Sequence, residues 1–440
     1  MNTPLASTSP EVRIHVLSER NMQWYLGTQL ISLTGFMLRS ALLSLLLIEL
    51  VGLKEASSLV GWVFALNMIP GAFLGIFCGL FLDAFDKRRI LQITSIFGAL
   101  QAAAFAYLAY KDVHHIATWK IMTIMGFAGI TNSIDGIGRN AIIKNAVVNK
   151  YNQRIAAVYF SSLYTAAMII GNGIAGYLVL WIGYGNSFVL NGLSFLVLIF
   201  GLHKMNFDHV KLVPRDKTRG IRELIKEGRH YTFGTAGIKI CIYLSTIITI
   251  FGYCYNVILS IIAKGMFNGG PKEYSYLASI AGLGSLAGSI VTVLWHAKRP
   301  RTFVVCGCLI IGSSLIAFSR TTDIHTAACL IFLCGFGFMT SFLPVRGAIM
   351  ALVDDRLVGI VLGFTFSFFY GGMALSSIFA GYLARAYGSP TVLATCGTVL
   401  TLTALATPWL PGIKEMGRDD IGERLSGLFL RRLEKAIAAS

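Results

Sequence analysis

The sequence predicts an all-α membrane protein, with twelve transmembrane helices in two six-helix halves related by a pseudo-two-fold axis. Three observations carry this. Of 440 residues, 55% are hydrophobic and only 13% are charged, where a soluble domain carries about 25% charged. Long apolar runs alternate with connections that are by turns basic and nearly bare of cations. A short motif also recurs at matching places in the first and second parts of the chain.

Each crossing takes about 20 apolar residues. The spans read as 24–50, 59–82, 90–110, 118–139, 155–182, 185–203, 235–263, 274–296, 302–319, 325–346, 357–385 and 389–410. Residues 1–20 are polar and the first apolar run is long enough to cross, so no cleavable signal peptide is read there.

The net charge of +16 sits in short loops. That distribution points to membrane orientation, not to a nucleic-acid-binding face. The second-to-third connection holds Lys87, Arg88 and Arg89; the fourth-to-fifth holds Lys144, Lys150 and Arg154; the eighth-to-ninth holds Lys298, Arg299 and Arg301. The other loops pair Lys54 with Glu55, Lys111 with Asp112, and Arg320 with Asp323. Cations stay on the cytoplasmic side, which puts both termini on the cytoplasmic side of the inner membrane and requires an even number of spans.

The long polar insert, 204–234, divides a bundle at 1–203 from a second at 235–410. Beyond it, 411–440 carries Leu425, Leu428, Phe429 and Leu433 opposite Arg424, Arg431 and Arg432. That pattern fits an amphipathic helix on the inner membrane surface or a solvated tail.

An internal repeat supports the division. Ala175-Gly176-Tyr177-Leu178 is followed by Gly183, and Ala380-Gly381-Tyr382-Leu383 by Gly388, each glycine seven residues after the glycine of the tetrapeptide. Arg139 and Arg346 precede the two copies at equivalent spans. Parallel repeats of this kind place a site between the halves. The eight cysteines fall within apolar segments and read as reduced packing residues, and no histidine has a partner at metal-ligand spacing. No cofactor or metal is expected.

The end of the second span reads Gly79-Leu80-Phe81-Leu82-Asp83-Ala84-Phe85-Asp86-Lys87-Arg88-Arg89. This resembles the signature loop of the major facilitator superfamily. The resemblance implies that Asp83 faces the N-terminal end of the eleventh helix and holds the cytoplasmic side shut. Ala84 stands where the family usually has arginine. Gly171-Asn172-Gly173-Ile174-Ala175-Gly176-Tyr177 is similar to the fifth-helix glycine motif of antiporter-type members, with Asn172 replacing a proline and Ala175 a glycine. Read instead as GxGxxG it lacks the preceding strand that a dinucleotide site needs. Leu33–Asp83, Ile182–Leu196 and Val353–Arg356 resemble the enterobactin-exporter group, also called transmembrane secretion effectors. That similarity implies outward transport of siderophores or other amphiphilic products, energised by proton entry.

Charges inside spans are the informative ones, since each costs about 2.5–3.5 kcal/mol to insert. Arg39 lies deep in the first span, one and two turns beyond Gly35 and Ser32. It reads either as an anchor for an anionic cargo or as the partner of an acid such as Glu49 or Asp135. Asn132, Asp135 and Arg139 share one face of the fourth span at i, i+3 and i+7. Asp135 is thus the candidate proton carrier, and an ordinary i,i+4 pair with Arg139 is the alternative. Lys239 either lines the cavity or snorkels to the surface. Asn67 and Asn256 complete the candidate cargo contacts. Gly71, Gly75 and Gly79 form a close-packing seam, and aromatics from Phe364 to Tyr370 crowd the eleventh span.

These readings describe a monomeric carrier whose partners are a small-molecule cargo, protons and membrane lipids, without nucleic acid. Proton-coupled export of a small anionic amphiphile such as a siderophore is the leading function. Transport of lysophospholipid or of another lipid- or drug-type cargo is the alternative. A membrane enzyme would need a catalytic cluster, and the sequence holds no HExxH, GxSxG or helical aspartate pair.

Overall fold

The computed structural model describes residues 19–81, 86–111, 116–146, 150–205, 221–295, 300–354, 357–410 and 413. Asp83, Asp355, Arg356 and the tail from 411 on, apart from Ile413, lie outside them.

The described chain is helical throughout. Helix α1 (Arg20–Phe81) bends at Gly52, α2 (Lys87–Lys111) and α3 (Thr118–Ala146) follow, and α4 (Lys150–Lys204) bends at Gly183. After α5 (Ile221–Gly234) come α6 (Ala236–Gly252), α7 (Cys254–Val257) and α8 (Leu259–Phe267). The chain continues as α9 (Pro271–Trp295), α10 (Pro300–Phe318), α11 (Ile324–Leu352), α12 (Val358–Tyr387) and α13 (Ser389–Ala406). Among the described residues, nine helices are long and apolar enough to cross a membrane. Large apolar side chains such as Phe73, Leu100, Phe127 and Trp181 lie exposed on the outside, as a lipid-facing surface requires. This is a multi-pass membrane protein.

Two long helices each hold two expected spans, and the divider is a glycine in a backbone region that side chains disfavour. Gly52 has φ 75°, ψ 167°, and Gly183 has φ 75°, ψ 172°. Gly388, between α12 and α13, has φ 84°, ψ 160°. That region is essentially restricted to glycine. The glycines that close the two copies of the sequence repeat therefore make the same hairpin.

The expected span 235–263 is not one helix but three pieces, α6 to α8, interrupted at Tyr253 and Ile258. The first break follows Gly252, a poor helix former that is also packed against Phe338 and Ile311. The second part of the polar insert is helical. In α5, Gly228 abuts Ile360, Phe233 meets Phe364 and Phe368 at 6.1 and 5.8 Å, and the Tyr231 hydroxyl donates to the Leu352 carbonyl.

The tightest crossings between the two halves lie at the end away from the basic loops. A methyl group on Gly176 would come within 1.7 Å of the Pro271 carbonyl oxygen. On Gly381 it would come within 2.7 Å of the Ser57 carbonyl and 2.9 Å of the Gly61 Cα. The two AGYL glycines thus form the two seams, α4 on α9 and α12 on α1. The α12 seam continues along α1, with Gly71 under Tyr370 and Gly75 against Ser367 and Gly363, so the first two glycines of the predicted ladder join the halves; the packing of Gly79 lies outside what is described. The glycine contacts between α4 and α9 reach Gly282 on Ile169, while Ser161, Ser162 and Tyr164, farther toward the basic end, are exposed.

Of the cysteines described, Cys241, Cys254, Cys308, Cys334 and Cys396 are buried, but Cys306 and Cys329 are exposed on the helix exterior and pack less than the sequence reading supposes.

Candidate functional site

The polar face of α3 is buried against α1 and α2. Asp135 accepts one bond from the Arg139 Nε at 2.5 Å and another from the Thr94 hydroxyl at 2.8 Å. The other guanidinium nitrogens of Arg139 donate to Gln29 and, at 3.0 Å, to the Ser32 hydroxyl. Tyr25 donates to the Arg139 carbonyl at 2.5 Å. Tyr25, Gln29 and Ser32 stand at i, i+4 and i+7, one stripe of α1, so a single helix face clamps the cation. Both ends of the pair are nearly inaccessible, with side chains 3% and 10% exposed.

Arg39 is fully buried one layer away. Its Nη1 donates to the Gln101 carbonyl oxygen at 3.0 Å, Gln101 donates to the Thr131 hydroxyl at 3.0 Å, and the Phe36 ring lies 5.2 Å from the guanidinium. Its Nε and Nη2 find no hydrogen-bond partner among the described residues. The expected acid partner is thus replaced by an amide: Glu49 is exposed and Asp135 is held by Arg139. Asn132 donates to Asn67 at 2.5 Å, joining α3 to the second arm of α1.

The facing wall, from the second half, is aromatic. Tyr253, Phe338, Phe342, Phe369 and Tyr370 form a chain of ring contacts with centroid separations of 6.3, 5.5, 5.2 and 5.7 Å. Half-buried Arg346 lies between Phe342 and Phe366, 5.8 and 5.4 Å from their centroids. Tyr370 spans from this wall to the other half: its ring covers Gly71, and its hydroxyl lies 3.4 Å from where a Cβ on Gly136, the neighbour of Asp135, would stand. Tyr164, 42% exposed, lies close enough to Tyr253, Tyr370 and Arg139 to interact with them electrostatically. The buried polar cluster of the first half thus lies beside an aromatic face of the second half that carries one cation, Arg346.

The family model for transmembrane secretion effectors matches residues 17–422. The chain belongs to that family. Among curated proteins it is similar to the uncharacterised MFS-type transporter YfiS of Bacillus subtilis, 22% identical over 89% of this chain and 93% of that one. It also resembles the staphyloferrin A transporter of Staphylococcus aureus (21% identical over 51% of this chain and 55% of that one) and the multidrug efflux pump Tap of Mycolicibacterium fortuitum (21%, over 77% and 83%). Among solved structures it shares its fold with the nucleoside transporter NupG, at TM-score 0.65 and 14% identity over 88% of this chain and 99% of that one. A D-xylose–proton symporter matches at TM-score 0.65 and 13% identity, over 91% and 98%. The chain is therefore a member of the major facilitator transporters.

Not every predicted residue joins this cluster. Lys239 is exposed near the start of α6, and no hydrogen bond or ion pair among the described residues ties it to the cluster; a lone lysine near a helix end favours the snorkelling geometry. Asn256 is half-buried on α7, between the two breaks and beside α12. Gly171 packs against α1, where a Cβ would meet the Thr34 carbonyl at 2.5 Å, and the Asn172 carbonyl accepts from Ser275. In the basic loop motif, the Asp86 carboxylate caps α2 by accepting the Arg88 amide at 3.0 Å and pairs with Arg89 at 3.5 Å. Lys87 is buried, and the Arg88 side chain donates to the His203 carbonyl at the end of α4.

Tyr25, Gln29, Thr94, Tyr164 and Tyr253 are site residues that sequence reasoning missed. The i, i+4, i+7 spacing of Tyr25, Gln29 and Ser32 is a signal of their shared face. Thr94 carries none, because a threonine in an apolar run ordinarily satisfies its own helix backbone.

Proposed function

We propose that this chain is a secondary active transporter that exports a small anionic amphiphile in exchange for protons by alternating access, with a siderophore as the specific candidate. Dividing the two long helices at Gly52 and Gly183 and adding α3 brings the apolar helices to twelve crossings. The basic loops and both termini face the cytoplasm of an inner membrane. The seams at Gly176 and Gly381, together with the exposure of Tyr164, support a state open toward that side.

The observation that carries the reading is the placement of Asp135. It is a single buried carboxylate held by Arg139 and Thr94, next to the contact Tyr370 makes across the halves. Arg39, with two guanidinium nitrogens that find no partner among the described residues, lies within electrostatic range of the same carboxylate. Both cations stand in the same half as Asp135, so rocking changes what the second half presents to it, Tyr370 above all, and protonation occurs in the state that admits water to the carboxylate. Around the chamber Arg39, Arg139 and Arg346 outnumber Asp135, which favours an anion. Arg346 takes over the anchoring role expected of Arg39 and Lys239, because it is accessible and flanked by rings.

Uptake and efflux in proteoliposomes test this. Asp135→Asn abolishes transport driven by a proton gradient and leaves counterflow; persistence of uphill transport overturns the assignment. Arg346→Gln lowers the rate for an iron-free carboxylate siderophore by about tenfold, the worth of one charged hydrogen bond. The aromatic wall and the resemblance to a multidrug pump favour a lipid- or drug-type cargo as the second reading. Labelled lysophospholipid outrunning the siderophore in the same vesicles would select it.

A further inference from the structure

A cavity of about 550 Å³ opens at the end away from the basic loops, remote from the Asp135 chamber. It lies between the halves: the α1 bend contributes Lys54 and Ser57, the turn after α10 contributes Arg320, and the last turn of α12 contributes Arg385. Its floor is apolar, with Leu53, Ile261 and Ala384 among the residues that line it. The lining holds three cations and no carboxylate.

Of the acids nearest in sequence, one holds a cation of the cavity and the other caps a helix. Glu55 pairs with Arg385 at 2.8 Å across the two halves, not with its neighbour Lys54. Asp323 caps α11, accepting the Thr326 amide at 2.7 Å and hydroxyl at 2.8 Å, and these bonds hold its carboxyl below the usual aspartate range. Lys54 and Arg320 make no ion pair with any described residue. Cations from three separate segments thus converge on a ligand-sized hollow whose neighbouring carboxylates are already used.

We propose that this cavity is a second binding site, for an amphiphile with a phosphate or carboxylate head, and that the occupant competes with Glu55 for Arg385. The head group lies among Lys54, Arg320 and Arg385, and the apolar part rests on the Leu53–Ile261 floor. Because the Glu55–Arg385 pair straps the halves together at this end, occupancy exchanges that strap for one through the head group, from Lys54 to Arg320 and Arg385.

Equilibrium binding of decyl phosphate to the full chain in phosphatidylcholine nanodiscs tests the site, with decyltrimethylammonium as the cationic control. Decyl phosphate binds saturably and the cation does not. Lys54→Gln and Arg320→Gln each weaken binding roughly threefold to tenfold, whereas Lys54→Arg and Arg320→Lys bind like the wild type, which separates lost charge from lost folding. Glu55→Gln tightens binding, since the competing carboxylate is gone. Including phosphatidylglycerol in the disc distinguishes sources: suppression of decyl phosphate binding assigns the site to a lipid head group, and no suppression assigns it to a free anion. Equal binding of the two detergents, or indifference to Lys54→Gln and Arg320→Gln, overturns the site. Loss of binding in Arg346→Gln but not in Arg320→Gln also overturns it, because the probe then occupies the chamber. Failure of Glu55→Gln to tighten binding overturns the competition. None of these readings depends on transport, so an inactive Asp135→Asn variant leaves the site standing.

Discussion

The Ser275 hydroxyl of α9 is inserted into the backbone of α4: the Gly176 amide donates to it at 2.7 Å, and it donates to the Asn172 carbonyl at 3.2 Å. Those two backbone groups are i→i−4 partners in the helix ladder. A side chain from one half thus bonds the helix backbone of the other, at the point where a methyl group on Gly176 would overlap Pro271. The seam is specified by hydrogen bonding as well as by close approach.

Removing the two contributions separately has different consequences. Ser275→Ala costs about 1 kcal/mol, the net worth of a hydrogen bond. Gly176→Ala lowers the melting temperature much further, because the opposing atom is backbone and has nowhere to move. Thermal unfolding of the purified variants ranks them in that order; equal losses would remove the steric part of the explanation.

The Asp135–Arg139 pair is buried with its hydrogen bonds satisfied. Truncating one member leaves an uncompensated charge, at a cost of about 3–5 kcal/mol. Arg139→Gln alone is therefore strongly destabilising, and adding Asp135→Asn to it restores most of the loss. A double-mutant cycle on thermal stability checks the coupling, and simple additivity would contradict it.

Gly183 and Gly388 share one backbone conformation and have open space around the missing side chain, apart from an ordinary 3.6 Å approach of Pro390 to Gly388. Replacing either by alanine costs strain without a clash, about 1–3 kcal/mol. The two variants lose stability by similar amounts in the same unfolding assay, as repeated hairpins should. A loss confined to one site would mean the hairpins differ.

Asp323 responds to pH with a definite sign. Its carboxyl is held low by the amide and hydroxyl of Thr326, so its stabilising effect is complete above the ordinary aspartate value near ~3.9. The effect fades as pH falls through the lower folded-state value. The stability gap between the wild type and Asp323→Asn is widest near neutrality and closes in acid. A gap that widens on acidification would reverse the assignment.

Hydrophobic run lengths sufficed to read most of the helices, because insertion cost is a local property, but not the breaks within 235–263; the duplicated AGYL–Gly pattern showed the repeat, and the structure showed that its closing glycines make hairpins. The face shared by Asn132, Asp135 and Arg139 was legible for the same reason: helical period is set along one chain. Which partner each charge takes was not. Arg39 chose Gln101 over an acid, Glu55 chose Arg385 over Lys54, and Ser275 entered a helix about one hundred residues away in sequence. Such choices depend on how helices distant in the chain cross, and a buried charge or hydroxyl takes the nearest group that satisfies it in three dimensions.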